Sequence, residues 1–146
     1  MPVSFESVLA KTQLFHRLGD EDLGKFAAKV VGRSYNAGQV IAQQGDLGTG
    51  LFIITSGAVD VIIDRGGPNE NHVATLKEGD VFGEMALLLE NPRSATIVAT
   101  EPTECFTLVR WDFKTLATES PELLWNMLEI MAARLAEADK SVEANL

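Results

Sequence analysis

From Arg33 to Val109 the sequence is a succession of short apolar runs, each closed by a glycine or another turn former. Arg33 to Tyr35, Val40 to Gln43, Leu51 to Ser56, Ala58 to Asp64, His72 to Leu76, Ser94 to Ala99 and Thr103 to Val109 all have the length and composition of strands. Gly38, Gly45, Gly48, Gly50, Gly57 and Gly79 stand at their ends, where tight turns and close chain approach favour a residue without a side chain. Gly66-Gly67-Pro68-Asn69 reads as a turn. Too little sequence lies between the runs for crossover helices, so the pattern predicts a sandwich, jelly roll or barrel of seven or eight strands. Alternation is clearest in Val59, Val61 and Ile63 against Ala58, Asp60 and Ile62, with Ile62 as the break in the pattern.

Helical spacing flanks this β unit on both sides. Before it, Phe5, Val8 and Leu9 form one group and Leu23, Phe26, Ala27 and Val30 another, predicting two helices. Leu14, Phe15 and Leu18 make an apolar turn between them, and Asp20, Glu21 and Asp22 place negative charge at the positive end of the second helix. After it, Ser120 is a candidate N-cap and Pro121 suits the first helical position of a helix reaching about Glu143. Leu124, Leu128, Met131, Leu135, Ala138 and Val142 follow a heptad-like spacing. That seam serves either as the stripe that packs on the β unit or as a homodimer contact. Phe113, Leu116 and Trp125 add apolar surface outside it, which favours a second partner.

Charge and composition narrow the function. The chain of 146 residues carries 12 Lys and Arg against 21 Asp and Glu, a formal net charge of -9, which opposes binding to a nucleic-acid backbone. No stretch approaches the length of a spanning helix, the first residues lack the pattern of a secretory signal, and Cys105 is the single cysteine. A cytoplasmic protein without disulfides or a thiolate metal cluster is expected. Cys105 sits in a strand pattern as a small buried hydrophobe. His16 and His72 have no metal-ligand spacing with it and read as structural or solvent-facing. Glu78 with Asp80, and Glu101 with Glu104, have no nucleophile or oriented base beside them. The run Gly45-Asp46-Leu47-Gly48-Thr49-Gly50 lacks the lysine and hydroxyl of a P-loop. A non-catalytic role follows.

The stretch from Gly79 to Thr96, GDVFGEMALLLENPRSAT, is the most unusual in the chain. Glu84 to Leu89, between a glycine and a proline, predicts one or two helical turns joining two strands. The start of such a helix leaves backbone N–H groups unpaired around Gly83 to Ala86, a setting that favours an anion. Arg93, turned into the same space, adds a planar fork for two anionic oxygens. Glu84, placed further along, accepts hydrogen bonds from sugar hydroxyls. A nucleotide offers both groups. The alternative is a simple loop salt bridge between Glu84 and Arg93.

This stretch resembles the phosphate-binding cassette of the cyclic nucleotide-binding domain family, with F-G-E, a small residue, a hydrophobic pair, and then P-R-S-A-T. LFHRLGDEDLGKFAAKV and YNAGQVIAQQGDLGTGLFIITSGAVDVII extend the resemblance over nearly the whole chain. It implies a mainly β fold: an eight-stranded, jelly-roll-like β-roll with N-terminal helices and a C-terminal lid or dimerisation helix. Residues 1–32 would be the N-terminal helices, 33–110 the β-roll with the cassette at 82–96, and 111–146 the C-terminal helices of a single domain. The ligand so implied is cAMP, or cGMP, as a regulatory ligand and not as a catalytic cofactor. Glu84 would meet the ribose 2′-hydroxyl and Arg93 the cyclic phosphate, aided by the backbone of Gly83 and Ala86 and by the Ser94 hydroxyl. Val73, Leu76 and Met85 are wall candidates that are equally compatible with plain core. Met131 and Leu135 face either the base or a partner helix.

Bacterial transcription factors of that family continue into a helix-turn-helix, and kinases and channels attach further domains. This sequence ends at Leu146. The expectation is therefore a sensor that binds no DNA and enters no membrane, coupling cyclic nucleotide to its last helix, to a homodimer contact or to a separate effector protein. A structural module with a vestigial pocket, or a regulatory piece of a larger kinase, channel or receptor, is the alternative.

Overall fold

The computed structural model describes residues 12–48 and 50–144, with backbone alone for 141–144. The expected first helix, at Phe5, Val8 and Leu9, lies outside the described residues, as does the side chain of Val142. The order is α1 (Asp20–Ala27), β1 (Val31–Tyr35), β2 (Val40–Ala42), β3 (Gly50–Ser56), β4 (Ala58–Ile63), β5 (Asn71–Lys77), β6 (Val81–Phe82), α2 (Glu84–Leu89), β7 (Thr96–Ala99), β8 (Thr103–Val109), α3 (Arg110–Glu119) and α4 (Pro121–Ala144). The eight strands form two antiparallel sheets, ordered β1-β8-β3-β6 and β2-β7-β4-β5. Most successive strands change sheets, which gives the roll that the family resemblance implied, one of the architectures the glycine punctuation left open.

Alternation along β3 explains why the molecule has two apolar layers. Leu51 and Ile53 point to one side, into a cluster with Leu14, Phe15, Phe26, Phe113, Leu123 and Met127. Ile54, with Phe52 packed beside it, points to the other, into a cluster between the sheets with Val59, Phe82, Ile97 and Cys105. The helices therefore cover the outer face of the first sheet while the second layer fills the roll. Cys105 is buried there, and desolvation pushes its thiol up to about 12. Leu14 and Phe15 are fully buried in the turn before α1, whose first residues Asp20, Glu21 and Asp22 carry the expected charge.

The C-terminal region differs from the sequence expectation in two respects. Phe113 and Leu116 belong to a separate helix, α3, and are core residues, so they add no apolar surface to α4. The stripe of α4 that faces the core is Leu123, Met127 and Ile130, one residue out of step with the predicted seam. Leu128 and Leu135 of that seam are 61% and 63% exposed, and Met131 alone packs partly against the core. Two apolar stripes lie side by side on this helix, and periodicity cannot say which turns inward. A buried amide decides it. Asn126 Nδ2 donates to the backbone oxygens of Leu14 at 2.9 Å and His16 at 2.7 Å, turning the stripe beside it toward the N-terminal turn. Ser120 acts at the start of α4 as expected, its hydroxyl accepting from the Leu123 N–H at 3.4 Å.

Candidate ligand-binding site

A cavity of about 1000 Å³ opens between the second sheet, α2 and α4. Its size suits a nucleotide with room for closure around it. The α2 helix supplies one end. Gly83 precedes it with φ 85°, a left-handed conformation that glycine adopts without steric cost, and the first turn of α2, with Glu84, Met85 and Ala86, lines the cavity. The other end of α2 is clamped by Arg110, whose Nε donates to the Leu87 carbonyl at 2.9 Å while Nη1 pairs with Glu90 at 2.9 Å. The helix predicted from Glu84 to Leu89 is thus held at its C-terminal end.

Arg93 is placed by its own backbone. Its N–H donates to the Asp46 carbonyl at 2.9 Å, and its carbonyl accepts from the Gly45 N–H at 2.9 Å, so the loop before β3 grips the cassette. Nη2 donates to the Gly50 carbonyl at 3.3 Å, and the guanidinium lies 5.4 Å from the centroid of the Phe52 ring. Phe52 in turn stacks on Phe82 at 4.8 Å. Partial burial pulls the Arg93 pKa below its ordinary value, with Asp46 opposing the shift. The guanidinium stays charged at any physiological pH, so this desolvation is a cost that a bound anion offsets.

Glu84 is buried, and it does not close on Arg93. Its Oε1 lies 2.5 Å from Nη1 of Arg134 on α4, and Nη2 of the same arginine donates to the Val81 carbonyl. The loop salt bridge that spacing left open is absent. One carboxylate at the cavity wall and one guanidinium at its end are therefore held by different partners.

Of the candidates named from the sequence, Gly83, Glu84, Met85, Ala86, Arg93, Ser94, Val73 and Leu76 line the cavity. Val73 is the extra residue of a bulge, because Val61 pairs with Ala74 and Ile62 with His72. For Met131 and Leu135 the base-facing alternative is corrected, since neither lines the cavity: Met131 packs toward the core, and Leu135 faces solvent, where the partner-helix alternative stays open. The face that α4 presents is Ile130, Ala133, Arg134, Glu137 and Ala138. Arg134 does not stand out in the sequence, because the spacing of α4 is set by its apolar residues. The signal available is that Arg134 is the one basic residue between Pro121 and Ala136. His72 lies at the cavity, 3.8 Å from Asp60 and 3.6 Å from Glu70. Among the described residues no group of three His, Cys, Asp or Glu side chains is placed to hold a metal.

The family described as cyclic nucleotide-binding domain matches residues 32–120, more than half of the chain and all of the β-roll but its first residue, with the cassette. The chain belongs to this family. The domain is 38% identical over 130 residues to the cyclic AMP receptor protein of Thermus thermophilus, covering 89% of this chain and 60% of that one. It is 39% identical over 118 residues to the cGMP-dependent protein kinase isozyme 1 of Drosophila melanogaster, covering 79% of this chain and 15% of the kinase. The crystal structure of the Thermus thermophilus catabolite activator protein superposes with a TM-score of 0.83 at 38% identity, over 90% of this chain and 62% of that one. The domain thus spans less than two thirds of the length of these relatives. No helix among the described residues is long and apolar enough to cross a membrane.

Proposed function

We propose that the domain is a non-catalytic sensor of a cyclic purine mononucleotide, cAMP in the first place, and that occupancy is coupled to the position of α4. The observation that carries this reading is the separation of Glu84 and Arg93: both face one cavity, neither neutralises the other, and each keeps capacity for a ligand. The cyclic phosphate is taken by Arg93 with the amides of Gly83 and Ala86 and the Ser94 hydroxyl. The ribose 2′-hydroxyl donates to Glu84, and the purine lies along Val73, Leu76 and Met85. Relatives named for cAMP and for cGMP both support a cyclic nucleotide.

Coupling follows from a shared carboxylate. Glu84 holds Arg134 of α4, and a carboxylate has room for a further donor, so a ribose hydroxyl and the helix meet on the same group. A ligand moves α4 only to the extent that it binds one helix arrangement better than the other. Titration calorimetry with cAMP, cGMP and noncyclic AMP is expected to show one cyclic nucleotide bound per chain, with the noncyclic phosphate weaker. Glu84→Gln is expected to weaken cAMP binding about tenfold, the cost of one charge-assisted hydrogen bond. Absence of binding by either cyclic nucleotide at millimolar concentration would overturn the reading in favour of a vestigial pocket.

The output surface in this proposal is the outer stripe of α4. Leu124, Trp125, Leu128 and Leu135 are all exposed there, an apolar strip that suits a second copy of the same helix. Light scattering at micromolar concentration is expected to give a dimer, and Leu128→Glu a monomer; a monomeric wild-type mass would remove the dimer from the proposal. A reducing cytoplasm suits a chain whose one thiol is free and buried, and the net charge of -9 makes DNA an unsuitable partner for this chain.

A further inference from the structure

The guanidinium of Arg93 lies close to backbone. One nitrogen donates to the Gly50 carbonyl, the group lies over the Phe52 ring, and two residues that lack side chains, Gly48 and Gly83, stand beside it. A methyl group at Gly83 would stand 2.9 Å from Nη1 and 3.0 Å from the Gly50 oxygen. A methyl group at Gly48 would come closer than 3.0 Å to Cζ, Nε and Nη2 together, a separation that real Cβ atoms do not show.

We propose that Gly48 is a positioning residue for anion binding: the side chain it lacks opens the slot that sets the direction from which Arg93 addresses the cavity. The proposal rests on the reading of Arg93 as the phosphate ligand. Gly83 is the less informative of the two glycines, because its φ of 85° would strain any substituted backbone. Gly48 has no such requirement, and the three atoms nearest to an added methyl all belong to the end of the Arg93 side chain. Alanine is therefore accommodated by the main chain, and the displacement falls on the guanidinium. The main chain of Arg93 cannot follow, since it is fixed through both its N–H and its carbonyl to the 45–46 loop. A glycine that reads in the sequence as turn punctuation thus acts on a side chain in a different loop.

The test combines two readouts on wild type, Gly48→Ala, Arg93→Ala and the double variant. In the ligand-free protein, the Nε–Hε NMR resonance of Arg93, identified by its loss in Arg93→Ala, is expected to move in Gly48→Ala while the melting temperature stays within about 2 °C, as for a substitution without core contacts. In calorimetry with cAMP, Gly48→Ala is expected to lose about tenfold in affinity, the scale of a misdirected charged hydrogen bond, and to cost nothing further in the Arg93→Ala background. An unmoved Arg93 resonance, or an equal affinity loss in both backgrounds, overturns the slot. If wild type binds no cyclic nucleotide, the functional reading fails on that result, and the slot is decided by the resonance of the ligand-free protein.

Discussion

Arg93→Ala is expected to lower the affinity for cAMP by about a hundredfold to a thousandfold, because two charge-assisted hydrogen bonds to the phosphate disappear together. The fold should be unaffected. The main-chain bonds of residue 93 to Gly45 and Asp46 do not involve its side chain, and the guanidinium that is removed was held partly out of water at a cost in solvation. Arg93→Lys separates charge from geometry: it keeps the cation, loses the planar fork, and should fall between wild type and alanine. Competition binding with cAMP measures all three, with melting temperatures to establish that each variant is folded. An alanine variant within about threefold of wild type would contradict the role assigned to this side chain, since even a single lost bond of this kind is worth more.

Phe15→Ala carries the second large effect, on stability. The ring is fully buried, its centroid 4.6 Å from that of Phe26, in the layer shared by the N-terminal turn, α1, the first sheet and α4. Truncation removes transfer free energy and leaves a cavity, together about 3–5 kcal/mol. Against a total of about 5–15 kcal/mol for a domain, that is a large share. The midpoint of urea denaturation should fall accordingly, with the slope of the transition unchanged. A loss under about 1 kcal/mol, the range of surface substitutions, would show that the turn is peripheral to the core. The same turn holds Asn126 of α4 through the backbone of Leu14 and His16, so its loosening also tests what anchors the first half of that helix.

Leu123, Asn126, Met127 and Ile130 fasten the first half of α4, Met131 packs partly against the same core, and further along the helix Arg134 reaches Glu84 and Val81.

Residues close in sequence were readable where their spacing alone sets the geometry. Gly83, the short helix from Glu84 to Leu89 and the return at Pro92-Arg93 form a local unit, and seven of the eight strands were visible as apolar runs between glycines. β6 was not, because Val81 and Phe82 make a strand only through their pairing with Ile53 and Phe52, and two residues carry no periodicity of their own. The partner of Glu84 was hidden for a related reason. A carboxylate accepts from whichever cation the fold delivers, and composition cannot distinguish Arg93 from Arg134. The orientation of α4 rests on one buried amide reaching two carbonyl oxygens far away along the chain, which no local pattern encodes. Short-range stereochemistry thus dictated the cassette and the alternation of the sheets. Long-range packing chose the inward stripe of the last helix and the cation that pairs with Glu84, because those choices are made by distances between segments that meet only after the chain has closed.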